Sequence, residues 1–107
     1  MVGLTPDSCA FFEDHGIYSD FGGVATEAEE GQRIAEALGQ HKAAIMHNHG
    51  LITVGQSVPE TVWWFLAMDR ACQTQLMAMA AGQPQAIRRE EALKVRAQTG
   101  SHFSGWF

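Results

Sequence analysis

His47 and His49 flank Asn48 and run directly into Gly50, inside an otherwise apolar stretch formed by residues 43–46 and 51–54. Imidazole is a common ligand for zinc and similar metals, and a bound divalent cation polarises a carbonyl oxygen as a Lewis acid. If the chain stays extended through the triplet, the two rings leave the same face of a strand and both approach one ion. The competing reading makes either ring a hydrogen-bonded core or surface histidine. Spacing alone does not separate the two, and Gly50 gives the chain freedom to bend at this point.

The elements that must position these rings follow from the flanking pattern. Residues 43–46 and 51–54 are short, apolar and partly β-branched, so they read as two buried strands meeting at the polar triplet. Ahead of them, Thr26 and Glu29 have the spacing of a capping box. Ile34, Ala35 and Leu38 form an apolar stripe, Glu27, Glu29 and Glu30 suit the positive end of a helix dipole, and Gly39 is a stop. This helix is expected to pack across the sheet.

After the strands, Ser57 and Glu60 make a second capping box with Pro59 in the first turn, opening the longest helix. Val62, Phe65, Leu66, Cys72, Leu76 and Met79 recur at helical spacing as its core stripe. Trp63, Trp64, Met68 and Met77 fall off that stripe, and apolar residues more than halfway round imply burial on two sides. Gly82 and Pro84 end the helix. Asp69 lies on the stripe, so a partly buried carboxylate is expected, either fixing helix packing through a partner or orienting His49.

At the N-terminal end, Asp7 or Ser8 is read as the cap of a brief helix reaching Phe12, and His15-Gly16 ends it. Residues 17–21 form a short edge strand broken by Gly22-Gly23, and Glu13, Asp14 and Asp20 are solvated turn residues. Residues 86–98 read as a weaker helix supported by a Glu90–Lys94 pair and stopped by Thr99-Gly100, with Ile87, Leu93 and Ala97 as its core. The aromatic tail, with Phe103, Trp106 and Phe107, is expected to dock on another surface. His102 within it is a docking residue in one reading and a ligand or acid–base group in the other.

Composition removes several classes of function. A chain of 107 residues is one domain at most, and its five Met and three Trp supply more apolar surface than a small core hides. The formal net charge of -5, with seven Lys and Arg against twelve Asp and Glu, argues against nucleic-acid and anionic-membrane partners. Arg88-Arg89 beside Glu90-Glu91 reads as a solvated helix end, not a phosphate track. Cys9 and Cys72 lack metal or redox spacing and read as reduced, inert thiols in helices, consistent with a cytoplasmic protein. Dinucleotide-binding, Walker and nucleophile-elbow motifs are missing, as are internal repeats.

The order Asn48-His49-Gly50, then Leu-Ile-Thr-Val-Gly and a capped helix, resembles the C-terminal half of the class II aldolase/adducin domain. The resemblance extends over Cys9-Ala10-Phe11-Phe12-Glu13-Asp14-His15, Glu30-Gly31-Gln32-Arg33-Ile34-Ala35, Asp69-Arg70-Ala71-Cys72-Gln73 and Gly100-Ser101-His102-Phe103. It implies an α/β fold: part of a three-layer α-β-α sandwich with a mixed, mostly antiparallel sheet. It makes residues 1–107 the C-terminal portion of such a domain, with the N-terminal half absent. By the same resemblance His49 is one of three histidines holding a divalent metal, usually zinc, and His47 is a bystander. The family's His-x-His pair and its acidic catalyst have no counterpart here. The implied activity is that of a metal-dependent carbon–carbon lyase on a small hydroxy-carbonyl substrate, in a homo-oligomer, with this chain inactive alone. The alternative is an adducin-like scaffold without catalysis.

Overall fold

The computed structural model describes residues 1–19 and 27–101, Glu27 by its backbone alone. Its elements are α1 (Pro6–Cys9), β1 (Gly16–Tyr18), α2 (Glu27–Leu38), β2 (Ala43–Met46), β3 (Gly50–Thr53), α3 (Val58–Ala81) and α4 (Arg89–Thr99). Asp20, Phe21, Gly22-Gly23, the cap residue Thr26, and His102 with the aromatic tail lie outside the described residues.

The three strands form one mixed sheet in the order β1-β2-β3. β1 is an edge strand and pairs with β2 in parallel, Ile17 beside Ile45, whereas β2 and β3 form an antiparallel hairpin with Ala44 beside Ile52. A parallel pair needs a crossover, and α2 supplies it. Alternation then divides β2 between two layers. Ala43 and Ile45 belong to the cluster built with Phe11, Trp64 and Met68. Ala44 and Met46 point the other way, and both are buried. The result is part of a three-layer α-β-α sandwich.

α2 lies close on the sheet because of Gly16, where a Cβ would fall 2.0 Å from the carbonyl oxygen of Ala37. Gly39, at φ 55°, ends the helix as its sequence position suggests, with its N–H donating to the Ala35 carbonyl. Ile34 and Leu38 are half-buried but Ala35 is exposed, so Ala37 takes its place on the inner face.

α3 corrects the expected phase of the long helix. Its inner face is Glu60, Trp64, Met68 and Ala71, all buried, whereas Val62, Phe65, Leu66, Leu76 and Met79 of the expected stripe are exposed. Both faces are apolar, and the buried one carries Trp64 and Met68. Trp64 is fully buried, with its ring edge-on to Phe11 at 5.8 Å and 80°. Such a contact adds about 0.5–1.5 kcal/mol beyond area burial. Asp69 therefore turns outward and accepts from the Gln73 side chain at 3.0 Å, which removes it as a partly buried carboxylate.

The N-terminal helix is capped earlier than expected. Thr5, not Asp7 or Ser8, is the cap: Thr5 Oγ1 accepts from the Ser8 N–H, Ser8 Oγ accepts from the Thr5 N–H, and Pro6 fills the first turn. At the other end α4 starts at Arg89, three residues later than expected, and buries Ala92 instead of Ala97. It is held to the N-terminal segment. The Ile87 N–H donates to the Gly3 carbonyl at 2.7 Å, Arg96 Nη1 to the Phe12 carbonyl at 3.0 Å, and Arg89 pairs with Glu13 at 2.9 Å.

Candidate functional site

β2 and β3 are joined by His47, Asn48 and His49, and the triplet is a turn, not a continuous strand. Asn48 has φ 56°, a left-handed conformation that asparagine tolerates better than most residues, and the His49 N–H donates to the Met46 carbonyl at 3.1 Å. The His47 N–H donates to the Tyr18 carbonyl at 2.9 Å, carrying the β1–β2 ladder one residue past the strand. The backbone of the turn is thus pinned to β1 and β2. Because the chain reverses here, the condition for two rings on one strand face is not met. Both side chains are exposed.

His49 lines an open cleft of about 450 Å³ with Asn48, Ile45, Leu51, Met1, Cys72, Gln75 and Leu76 among its walls, and His47 is not part of that lining. The C-terminal half of α3 is one wall and the end of the hairpin is the other. Burial pushes the Cys72 thiol up from its ordinary value, so it lines the cleft as a neutral group. Gln75 is already engaged, its side-chain oxygen accepting from the Val2 N–H at 2.8 Å and its nitrogen donating toward the Met79 sulfur. That leaves His49 and Asn48 as the other polar side chains of the lining. Asp69 is not in the lining.

A catalytic zinc site uses three protein ligands. Among the described residues no three His, Cys, Asp or Glu side chains are grouped to hold one ion. His49 is accessible and its backbone is fixed, so it suits the role of one donor. The described residues do not complete a site around it.

A second polar centre lies at the opposite end of β2, marked in the sequence only by a lone lysine before an apolar run. Lys42 is 5% exposed. Its Nζ donates to the Ala10 carbonyl at 2.7 Å and pairs with Asp14, and it sits 5.1 Å from the Trp64 ring centroid and 5.7 Å from that of Phe11. A desolvated cation over aromatic faces is stabilised by about 2 kcal/mol. Asp14 also meets His41 Nδ1 at 3.3 Å, so it holds both Lys42 and His41 and is not the solvated turn residue expected. Across Trp64, the indole Nε1 donates to Glu60 Oε1 at 3.1 Å, while Glu60 Oε2 accepts from the Gln56 N–H at 2.8 Å. The Ser57 cap is present, with its Oγ accepting from the Glu60 N–H, but the carboxylate reaches one residue further back than a capping box predicts.

His15 accompanies this centre. Burial lowers its pKa below the ordinary histidine value, and the nearby His41 adds to the lowering, although a 2.7 Å contact to the Phe11 carbonyl opposes it. Arg88 pairs with Glu91 and Arg89 with Glu13, which fits a charged helix end and not a phosphate track. Cys9 is buried and Cys72 half-buried, both as free thiols. No helix of the described residues is long and apolar enough to cross a membrane.

Comparison with known proteins gives the hairpin and cleft a lineage. Residues 1–76 match the model of the class II aldolase and adducin N-terminal domain. Decarboxylase NovR of Streptomyces niveus is 47% identical over 103 residues, which are 96% of this chain and 38% of that protein. The 4-hydroxy-3-prenylphenylpyruvate oxygenase/4-hydroxy-3-prenylbenzoate synthase of Streptomyces roseochromogenus subsp. oscitans is 45% identical over 103 residues, 96% of this chain and 37% of its own length. The solved L-fuculose 1-phosphate aldolase from Glaciozyma antarctica PI12 superposes with a TM-score of 0.80 at 38% identity, covering 94% of this chain and 37% of that one. The chain thus spans less than two fifths of the length of these relatives. With the mixed sheet, the Asn48-His49-Gly50 turn and a family match over residues 1–76 in agreement, the chain belongs to the class II aldolase and adducin family.

Proposed function

We propose that this chain supplies one metal ligand, His49, and one wall of the substrate cleft to a metal-dependent carbon–carbon lyase of the class II aldolase type. The observation that carries the reading is the placement of His49: on a pinned turn, exposed, at the mouth of the cleft, while His47 two residues away is not in the cleft lining. When bound, a divalent cation, zinc by its preference for imidazole, stabilises negative charge on a substrate carbonyl oxygen. The chain's own contribution is positional. The turn places one imidazole in the cleft lining, and Ile45, Leu51 and Leu76 supply apolar wall beside it. No residue of this chain matches the family's acidic catalyst, so the acid–base group and the remaining ligands come from elsewhere, and the isolated chain is inactive.

The named activities of the relatives, an aldolase, a decarboxylase and an oxygenase, lend support to carbon–carbon cleavage beside a carbonyl as the shared chemistry. The working assembly is a cytoplasmic homo-oligomer with a small-molecule substrate. A chimera in which this chain replaces its matching segment of the fuculose 1-phosphate aldolase tests the reading. It should hold a divalent metal and cleave a hydroxy-carbonyl substrate. His49→Ala should lose both properties and His47→Ala should keep them; metal and activity retained in His49→Ala would remove the basis of the assignment.

A second reading, a non-catalytic scaffold of the adducin type, is favoured by one observation. Val58, Val62, Leu66, Leu76 and Met77 leave α3 with a broad exposed apolar surface. A chimera that folds and holds metal without turnover would favour it.

A further inference from the structure

The outward side of α3 has a repeat that the fold itself does not use. Val62, Leu66, Asp69, Gln73, Leu76 and Ala80 are all exposed and follow one another at alternating steps of four and three residues, the seam of a coiled coil. The seam also reads the same from either end. Two apolar residues, two polar and two apolar succeed one another, and Val62 with Ala80, Leu66 with Leu76 and Asp69 with Gln73 each lie equally far from the level of Ala71. A helix face with that symmetry is complementary to a copy of itself running the other way, which is what a two-fold interface requires.

We infer that α3 pairs antiparallel with the α3 of a second copy of this chain, about a two-fold axis at the level of Ala71. In that register Val62 packs on the partner's Ala80 and Leu66 on the partner's Leu76. Asp69, which already accepts from Gln73 of its own helix at 3.0 Å, also meets the partner's Gln73. The flanks match too. Trp63 approaches the partner's Met77, and Phe65 the partner's Met79, all four being exposed, so each contact sets an aromatic ring against a thioether. A parallel pair would set Asp69 on the partner's Asp69, so the two polar layers fix direction and register at some cost in affinity. Arg70 meets its own copy near the axis and opposes the pairing. The paired strip, about 36 Å by about 11 Å, covers roughly 400 Å² of each copy, about half of a standard interface, which points to a dissociation constant on the order of 10 μM. Leu76 also lines the cleft beside His49, so the partner's Leu66 comes to stand at the edge of that cleft.

The 107-residue chain, without metal, is the sample for the test, and sedimentation equilibrium should find it in a monomer–dimer equilibrium. Gln73→Glu sets a second carboxylate opposite Asp69 and should weaken the dimer about tenfold, whereas Gln73→Lys should not weaken it. Direction is read by cross-linking in a Cys72→Ala background. Mild oxidation of a mixture of Leu66→Cys and Leu76→Cys chains should give a covalent dimer holding one of each, and neither variant alone should cross-link. Leu66, Gln73 and Leu76 are exposed, so these variants keep the fold, which circular dichroism checks. A monomer at about 100 μM, cross-linking of either variant with itself as readily as in the mixture, or a dimer indifferent to Gln73→Glu would each overturn the inference. A monomer would hand the face to a different occupant, and self-cross-linking would make the pair parallel. The seam does not include His49, so such a failure leaves the metal-ligand assignment standing, and loss of that assignment in the chimera leaves the pairing intact.

Discussion

His49 acquires its position from a reversal of the chain, and this separates two residues that look equivalent on paper. The Asn48-His49-Gly50 order was legible, because it is carried by local letters. The difference between the rings was legible only through the family resemblance and not from spacing, because it depends on Asn48 adopting φ 56° and on a hydrogen bond from His47 to Tyr18, 29 residues away in sequence. A single donor holds zinc poorly, so equilibrium dialysis of the isolated chain should find no tightly bound stoichiometric metal. A tight site that needs both His47 and His49 would contradict the turn. Lys42 was illegible for a related reason: nothing local announces that Asp14, Ala10 and two aromatic faces close around it. Lys42→Met should destabilise the fold by roughly 2–3 kcal/mol in urea unfolding, since it leaves a carbonyl and a carboxylate without their charged donor. His15 gives the pH dependence a definite sign. Its folded-state pKa is depressed, so as pH falls below the ordinary value near 6.5 the unfolded chain takes up the proton first and the fold loses stability. Unfolding midpoints between pH 7 and 5 should fall, and His15→Gln should flatten that slope.

The helices and the hairpin were readable as elements because caps, glycines and apolar runs are local signals. The direction α3 faces was not. An amphipathic helix declares its inner side by contrast, and here Val62, Phe65 and Leu66 offer as much hydrophobicity outward as Trp64 and Met68 offer inward. The buried side is marked by the contacts of Trp64 and by Glu60, which is buried where it can accept from both Trp64 and Gln56. Trp64→Ala should therefore cost about 3–5 kcal/mol, whereas Leu66→Ala, on the side first read as core, should cost well under 1. Comparable losses at the two sites, measured by chemical denaturation, would restore the original phase. Gly16 has a similar hidden meaning. A methyl group there collides with a backbone oxygen of α2, so Gly16→Ala should push helix and strand apart, seen as a lowered Tm.

Across the whole molecule, the exposed side of α3 extends over a 24-residue helix, about 36 Å long. A monomer seldom leaves so much hydrocarbon in water. Light scattering should show self-association, and the pair Val62→Glu with Leu66→Glu should reverse it without loss of helix by circular dichroism. A wild-type monomer at tens of micromolar would remove the case for an oligomer through this face. The arrangement of α4 has a different consequence. It rests on α1 and the segment around it, through Gly3, Phe12 and Glu13, and not on the sheet. Its attachments join residues far apart in sequence, so closing them costs more chain entropy than closing the hairpin. Amide hydrogen exchange should then find two tiers, with slow exchange in β2 and the first half of α3 and faster, concerted exchange across residues 89–99. A protease offered the native protein should cut first at the connection between Gly82 and Arg88, releasing α4 before the sheet has opened at all.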